Sequence, residues 1–187
     1  MGLGILIGIV SIILIMVVVI YNGIITRMNA VERGWANVIT QERQKNKMIP
    51  HLEQVTEQFK QHEMGLQSSI AELRSGLARL QPGTIDTAAL QQVEGSTQKL
   101  LQGLTVAVEA YPELKASEIF NNLMREIAEQ QENIGAAIRI FNQNVEDFNN
   151  GIEVFPNSLV NAMLNKKTRV TPFHDSEAEA GFEYKLK

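Results

Sequence analysis

His51, His62 and His174 are the chain's three imidazoles. His62-Glu63 begins like a zinc-binding helix, but such a helix needs a second histidine four residues on, and Leu66 stands there. His51 and His62 fall on roughly one helix side, about three turns apart. Two ligands at a proline kink do not complete a tetrahedral site, so no metal is expected. Glu42, Lys45 and Glu63 place charge inside a stripe that is otherwise apolar. Paired carboxylates can do acid–base work only in a pocket that perturbs their pKa. Fixing helix register, or lying where the stripe meets water, is the simpler reading. Asn142 and Asn149 each follow an aromatic, Phe141 and Phe148. Hydrogen bonds across helices would let them set register, and an Asn ladder for a ligand is the sharper alternative. Trp35 reads as a packing anchor, with an interface as its functional role. Phosphate loops, a GxSxG elbow and a nucleotide fingerprint are all absent from the sequence. No catalytic residue, cofactor or metal is assigned, and a non-enzymatic protein is expected.

The elements that carry these residues begin with an apolar run. Residues 1–26 contain no charge, and Leu3 to Tyr21 reads LGILIGIVSIILIMVVVIY. At a rise of 1.5 Å per residue, about 20 such residues cross a hydrocarbon layer of ~30 Å. The run lacks the basic start, short apolar core and Ala-x-Ala site of a secretory signal. It is therefore expected to stay as a membrane anchor. The absence of cysteine excludes thioether and palmitoyl anchoring, disulfides and thiolate zinc sites. Basic residues follow the span at Arg27, Arg33, Arg43, Lys45 and Lys47, and none precedes it. The charge rule then puts the short N-terminus outside and the rest of the chain in the cytoplasm. Gly4 and Gly8 form a GxxxG pair through which two spans could approach closely.

The sequence has 187 residues and a formal net charge of −4. That balance gives no basic face for nucleic acid. Beyond the anchor, about 160 residues suffice for one domain. Their Gln, Glu, Leu and Ala content suits helices. One heptad line runs Val31, Val38, Lys45, Leu52, Phe59, Leu66, Leu73, Leu80. Its companion runs Trp35, Glu42, Ile49, Thr56, Glu63, Ile70, Leu77. Together they predict one long helix from Arg27 to Leu80, kinked or opened at Pro50. Gln81-Pro82-Gly83 ends it, with Thr84, Asp86 and Thr87 as alternative N-caps for the next helix. That second helix buries Leu90, Val93, Thr97, Leu100, Leu104, Ala107 and Tyr111, and closes at Pro112. Ser117 caps a third, whose seam is Phe120, Ile127, Ile134, Phe141, Phe148 and Phe155 with Ile138, Val145 and Ile152, stopped by Pro156.

These elements predict an all-α protein: a transmembrane helix followed by an elongated antiparallel bundle of long helices. The divisions are 1–26 for the anchor, 27–164 for the bundle and 165–187 for a flexible tail. Unequal helix lengths of about 80, 39 and 58 Å leave the stretch from Arg27 to Gln54 without a partner. Val31, Trp35, Val38 and Ile49 are then interface candidates, for further copies of the chain or for another membrane protein. The alternative is that Pro50 folds the first helix back, or that the bundle slides.

Several segments together resemble the LemA family. They are Tyr21-Asn22 with Arg27, Asn29, Val31, Glu32 and Trp35-Ala36-Asn37; then Ile49-Pro50, Leu52 and His62-Glu63. Tyr111-Pro112-Glu113-Leu114-Lys115-Ala116 with Phe120 is the best match. Phe141-Asn142, Phe148-Asn149 and Phe155-Pro156-Asn157 are similar to the family's closing helix, which usually has Tyr-Asn, Tyr-Asn and Phe-Pro. The resemblance runs from the anchor to about Leu164. Ile39 and Lys47 depart from it where Asp is common, and Gln44 departs where Arg is. It implies a bacterial inner-membrane, single-pass protein with a helical-bundle domain. Family members are linked to envelope functions and accompany membrane proteases or TPM-domain proteins, and one takes part in magnetosome membrane formation. The expected role is a self-assembling homo-oligomeric scaffold on the bilayer. An adaptor or regulator of an envelope protein, such as a membrane protease, is the alternative.

Overall fold

The computed structural model describes residues 2–57, 63–112 and 117–174. Among them all regular structure is helical: α1 Gly2–Gln44, α2 Ile49–Thr56, α3 Glu63–Arg79, α4 Thr87–Ala110, α5 Glu118–Glu153 and α6 Asn157–Val160. A short turn of 3₁₀ type, Lys45–Lys47, joins α1 to α2, and a π-type turn, Asn161–Asn165, extends α6. The chain forms two compact units, one of Met1–Gly34 with Ile140–Pro172 and one of Trp35–Arg139 with Phe173–Lys187.

The second unit is a bundle with four arms, because the expected single helix from Arg27 to Leu80 is two antiparallel arms. Arg43 donates to the Leu80 carbonyl at 2.6 Å and Trp35 Nε1 to that of Gln81 at 3.2 Å. Farther along, Arg74 pairs with Glu53. Rising numbers on α1 and α2 thus meet falling numbers on α3, and the reversal lies between Thr56 and Glu63. Pro50 does not make it. Pro50 sits in the first turn of α2, where a missing N–H costs least. The helix breaks just before it, at the 3₁₀ turn. α3 and α4 pair antiparallel: an ion pair at 3.4 Å joins Glu72 to Lys99, and Gly103 leaves room for Leu66. Among the three cap candidates Asp86 holds α4, accepting from the Ala89 N–H at 2.9 Å. Ser117 caps α5 through the Phe120 N–H.

Both expected heptad lines are buried wherever they are described, and so are the seam residues of α4 up to Ala107 and those of α5 from Phe120 to Ile152. Val31, Trp35, Val38 and Ile49 are therefore covered by the chain itself. Packing within the chain supplies the cover that helix lengths alone seemed to deny, so these residues are buried and not an exposed stripe. Phe155 is the converse case. α5 stops at Glu153, and Phe155 leaves the helical register to stand 83 % exposed.

In the first unit α1 and α5 run antiparallel. Gly34 allows the closest approach: a Cβ there would lie 3.2 Å from Phe141 Cα. Asn144 donates to the Ala30 carbonyl at 3.3 Å. Residues 165–174, expected as part of a flexible tail, are docked. The Asn149 amide donates to the Val170 carbonyl at 2.8 Å and accepts from its N–H at 2.9 Å. Phe173 is buried.

Candidate functional site

The buried charges lie together in the second unit. Lys45, in the 3₁₀ turn just after α1, directs its ammonium at three oxygens: Glu94 Oε1 at 2.7 Å, Glu42 Oε2 at 2.9 Å and Thr97 Oγ1 at 3.0 Å. Glu94 Oε2 accepts from Gln131 Nε2 at 3.1 Å. Glu42, Lys45 and Glu94 are each at most 2 % exposed. The contact from Glu42 is an ion-pair distance only, and neither of its oxygens has a hydrogen-bonding alignment with a donor.

Burial raises the Glu42 pKa well above the ordinary range, Glu94 adds to the rise, and Lys45 opposes it. Burial would raise Glu94 as well, but Lys45 and hydrogen bonds from Glu42, Lys45 and Gln131 bring it down to about 2. Lys45 is penalised by burial yet raised by its two carboxylate neighbours. The consistent state is a neutral Glu42 beside a Lys45–Glu94 ion pair, with no net charge in the core. Protonation turns one Glu42 oxygen into a donor, for which the neighbouring Glu94 carboxylate is the acceptor.

A raised carboxyl beside an ionised one is the pattern of an acid–base pair. The space here does not admit a substrate. The void next to Lys45, lined by Met48, Leu52, Leu73 and Leu100, is about 10 Å³, enough for about one water. The cluster instead ties α1, α4 and α5 through partners that fit in one register. Sequence reasoning found Glu42 and Lys45 as charges in the seam and missed Glu94. Its signal was its place beside Val93 and one turn before Thr97, where Lys45 needs a counter-charge.

A larger concave feature lies in the first unit. It is an open groove of about 440 Å³ lined by Arg27, Asn144, Asp147, Asn150 and Gly151. The stem of Arg27 rests on Gly151, where an added Cβ would come within 2.7 Å of Arg27 Cδ.

The remaining expected residues fall into separate places. Gly4 and Gly8 have nothing within 4 Å of an added Cβ. Tyr111 and Pro112 close α4, while Glu113, Leu114 and Lys115 lie outside the described residues. Phe141 and Phe148 are core, Asn142 is half-buried, and Asn149 is spent on Val170. No ladder with Asn142 is needed to explain it. Pro156 opens α6. His51 is exposed and 3.7 Å from Glu126, and His174 is exposed. His62 and the side chain of Glu63 lie outside the described residues. Among the described residues no three His, Asp or Glu side chains could jointly hold a metal.

Comparison with known proteins places these features in a family context. A family model described as the LemA family matches residues 34–181. Protein LemA from Metamycoplasma hominis is 29 % identical over 121 residues, covering 65 % of this chain and 53 % of that protein. The chain thus spans about half the length of that curated relative. No solved structure matches.

Proposed function

We propose, from the premise that the chain belongs to the LemA family, that it is a non-enzymatic scaffold anchored once in the bacterial inner membrane and assembled there as a homo-oligomer. The observation that carries this reading is the bare N-terminal part of α1. Leu3, Ile5, Leu6, Ile12, Leu14 and Ile15 are all exposed, whereas the stripes of the bundle are filled from within the chain. So large an apolar surface needs a cover, and its length fits lipid. Gly4 and Gly8 leave one side of this helix flat, which lets a second span approach its backbone. The basic residues from Arg27 onward favour a cytoplasmic domain and an outside N-terminus. The near-absence of free volume beside the buried carboxylates favours a structural over a catalytic role.

Lysine-directed cross-linking in native membranes tests the proposal. A ladder of self-products that collapses in the double variant Gly4→Leu, Gly8→Leu supports a scaffold held through its spans. One heterologous band, unchanged by those substitutions, would replace it with the adaptor reading and a membrane-protein partner.

A further inference from the structure

The segment from Phe155 through α6 and the turn after it carries the most exposed large apolar side chains outside the anchor. Phe155 is 83 % exposed, Met163 68 %, Leu159 58 % and Leu164 52 %. Leu159 in α6 and Met163 in the turn that extends it are one helical turn apart, and Phe155 stands exposed just before α6.

Their place in the first unit is fixed by a series of contacts. Asn144 meets Ala30, Gly151 meets Arg27, and Asn165 donates to the Tyr21 carbonyl at 3.4 Å. Numbers that rise from α5 to α6 meet numbers that fall along α1 toward the anchor. The last contact is at Tyr21, the residue that closes the apolar run Leu3 to Tyr21. Coverage of α1 reaches still deeper: beyond the buried Ile24, Ile20 and Val17 are partly covered on the same side. Val17 lies about 6 Å inside Tyr21 along the helix. Immediately after the apolar side chains come Lys166 and Lys167, both exposed and without an acidic partner among the described residues.

We infer that residues 154–167 form a second membrane contact, lying in the interfacial layer beside the span. Phe155, Leu159 and Met163 enter the acyl boundary, and Lys166 and Lys167 meet anionic headgroups. An apolar side flanked by lysines is the composition of an interfacial helix. Here the span itself holds the segment at the right depth. The inference rests on the anchor reading. It adds that the domain grips the bilayer surface by a second element, which would fix its rotation about the span axis.

Spin labels on single cysteines test it, and the cysteine-free chain provides a clean background. The full-length protein is placed in vesicles of phosphatidylcholine and anionic phosphatidylglycerol. Cysteine replaces Phe155, Leu159 or Met163 in turn, with Ile12→Cys as the anchor reference and Glu146→Cys on exposed α5 as the aqueous one. Trp35 emission reports that each variant is folded. Labels at 155, 159 and 163 are expected to show oxygen accessibility raised over that of a water-soluble nickel chelate, between the two references. If they match Glu146→Cys while Ile12→Cys is deep, the inference fails and the anchor stands. An aqueous Ile12→Cys would remove both. Spin–spin broadening at 155 or 159 that disappears on dilution with unlabelled protein would assign the patch to a second copy and overturn the lipid contact.

Discussion

Replacing Glu42 by Gln separates the two carboxylates of the buried cluster. Burial raises the Glu42 pKa in the folded chain. The native state therefore keeps a proton that the unfolded chain releases above the ordinary value of 4.5. The stability linked to this group is complete below that value and is lost as pH rises toward the folded pKa. One proton gives a slope of at most about 1.4 kcal/mol per pH unit within the window. Gln has the same shape, is permanently neutral and can donate to Glu94 as the protonated acid does. Glu94 runs the other way. Its folded pKa is lowered to about 2, so its stability is present above the unfolded value and is lost as pH falls toward 2. The acid limb should survive in Glu42→Gln, and the decline on the neutral side should vanish. Urea unfolding of the full-length protein in non-ionic detergent measures this. Trp35, the one tryptophan, is buried beside Gln81 and reports the transition. The variant should lie within about 1 kcal/mol of the native chain near pH 4.5 and gain on it by up to about 1.4 kcal/mol per unit above. Parallel stability curves above pH 4.5 would show that Glu42 is ionised in the fold and refute the charge assignment.

Three further outcomes follow from the same contacts. Lys45→Met leaves the Glu94 carboxylate buried and unpaired, and should cost about 3–5 kcal/mol in the same unfolding assay. Gly34→Ala would gain about 1 kcal/mol in an open helix, but its Cβ meets Phe141 Cα at 3.2 Å. Overpacking of this kind costs about 1–3 kcal/mol, so thermal melting followed by circular dichroism should show a net loss. Asn149→Ala removes both hydrogen bonds to Val170. Hydrogen exchange should show faster exchange of the Val170 amide, with about 1–3 kcal/mol of local protection lost.

The heptad lines revealed which residues are buried better than they revealed where the chain turns. Leu52 and Leu66 fall on one seam and are both core, although they sit on arms running in opposite directions. A seven-residue repeat records the face that meets the core, and that face is the same before and after a reversal whose length preserves the phase. The reversal itself lacks the Pro-Gly signal that made Gln81-Pro82-Gly83 legible. Pro50 was legible as a break, but its steric effect ends one helix and begins another without reversing the path. Phe155 continued the repeat on paper and left the core because α5 ended first. The buried cluster was half legible. Charges at Glu42 and Lys45 interrupt the seam visibly, whereas Glu94 lies beside a seam and becomes their partner only through the packing of α4 against α1. The contact of Val170 with α5 was hidden because it depends on one side-chain amide imitating a backbone partner.

The mass of the full-length protein in mild detergent, corrected for bound detergent, tests the scaffold most directly. A discrete multiple of the 20.9 kDa chain that falls to the single-chain mass in Gly4→Leu, Gly8→Leu is the predicted result. A single-chain mass for the native protein would contradict the account.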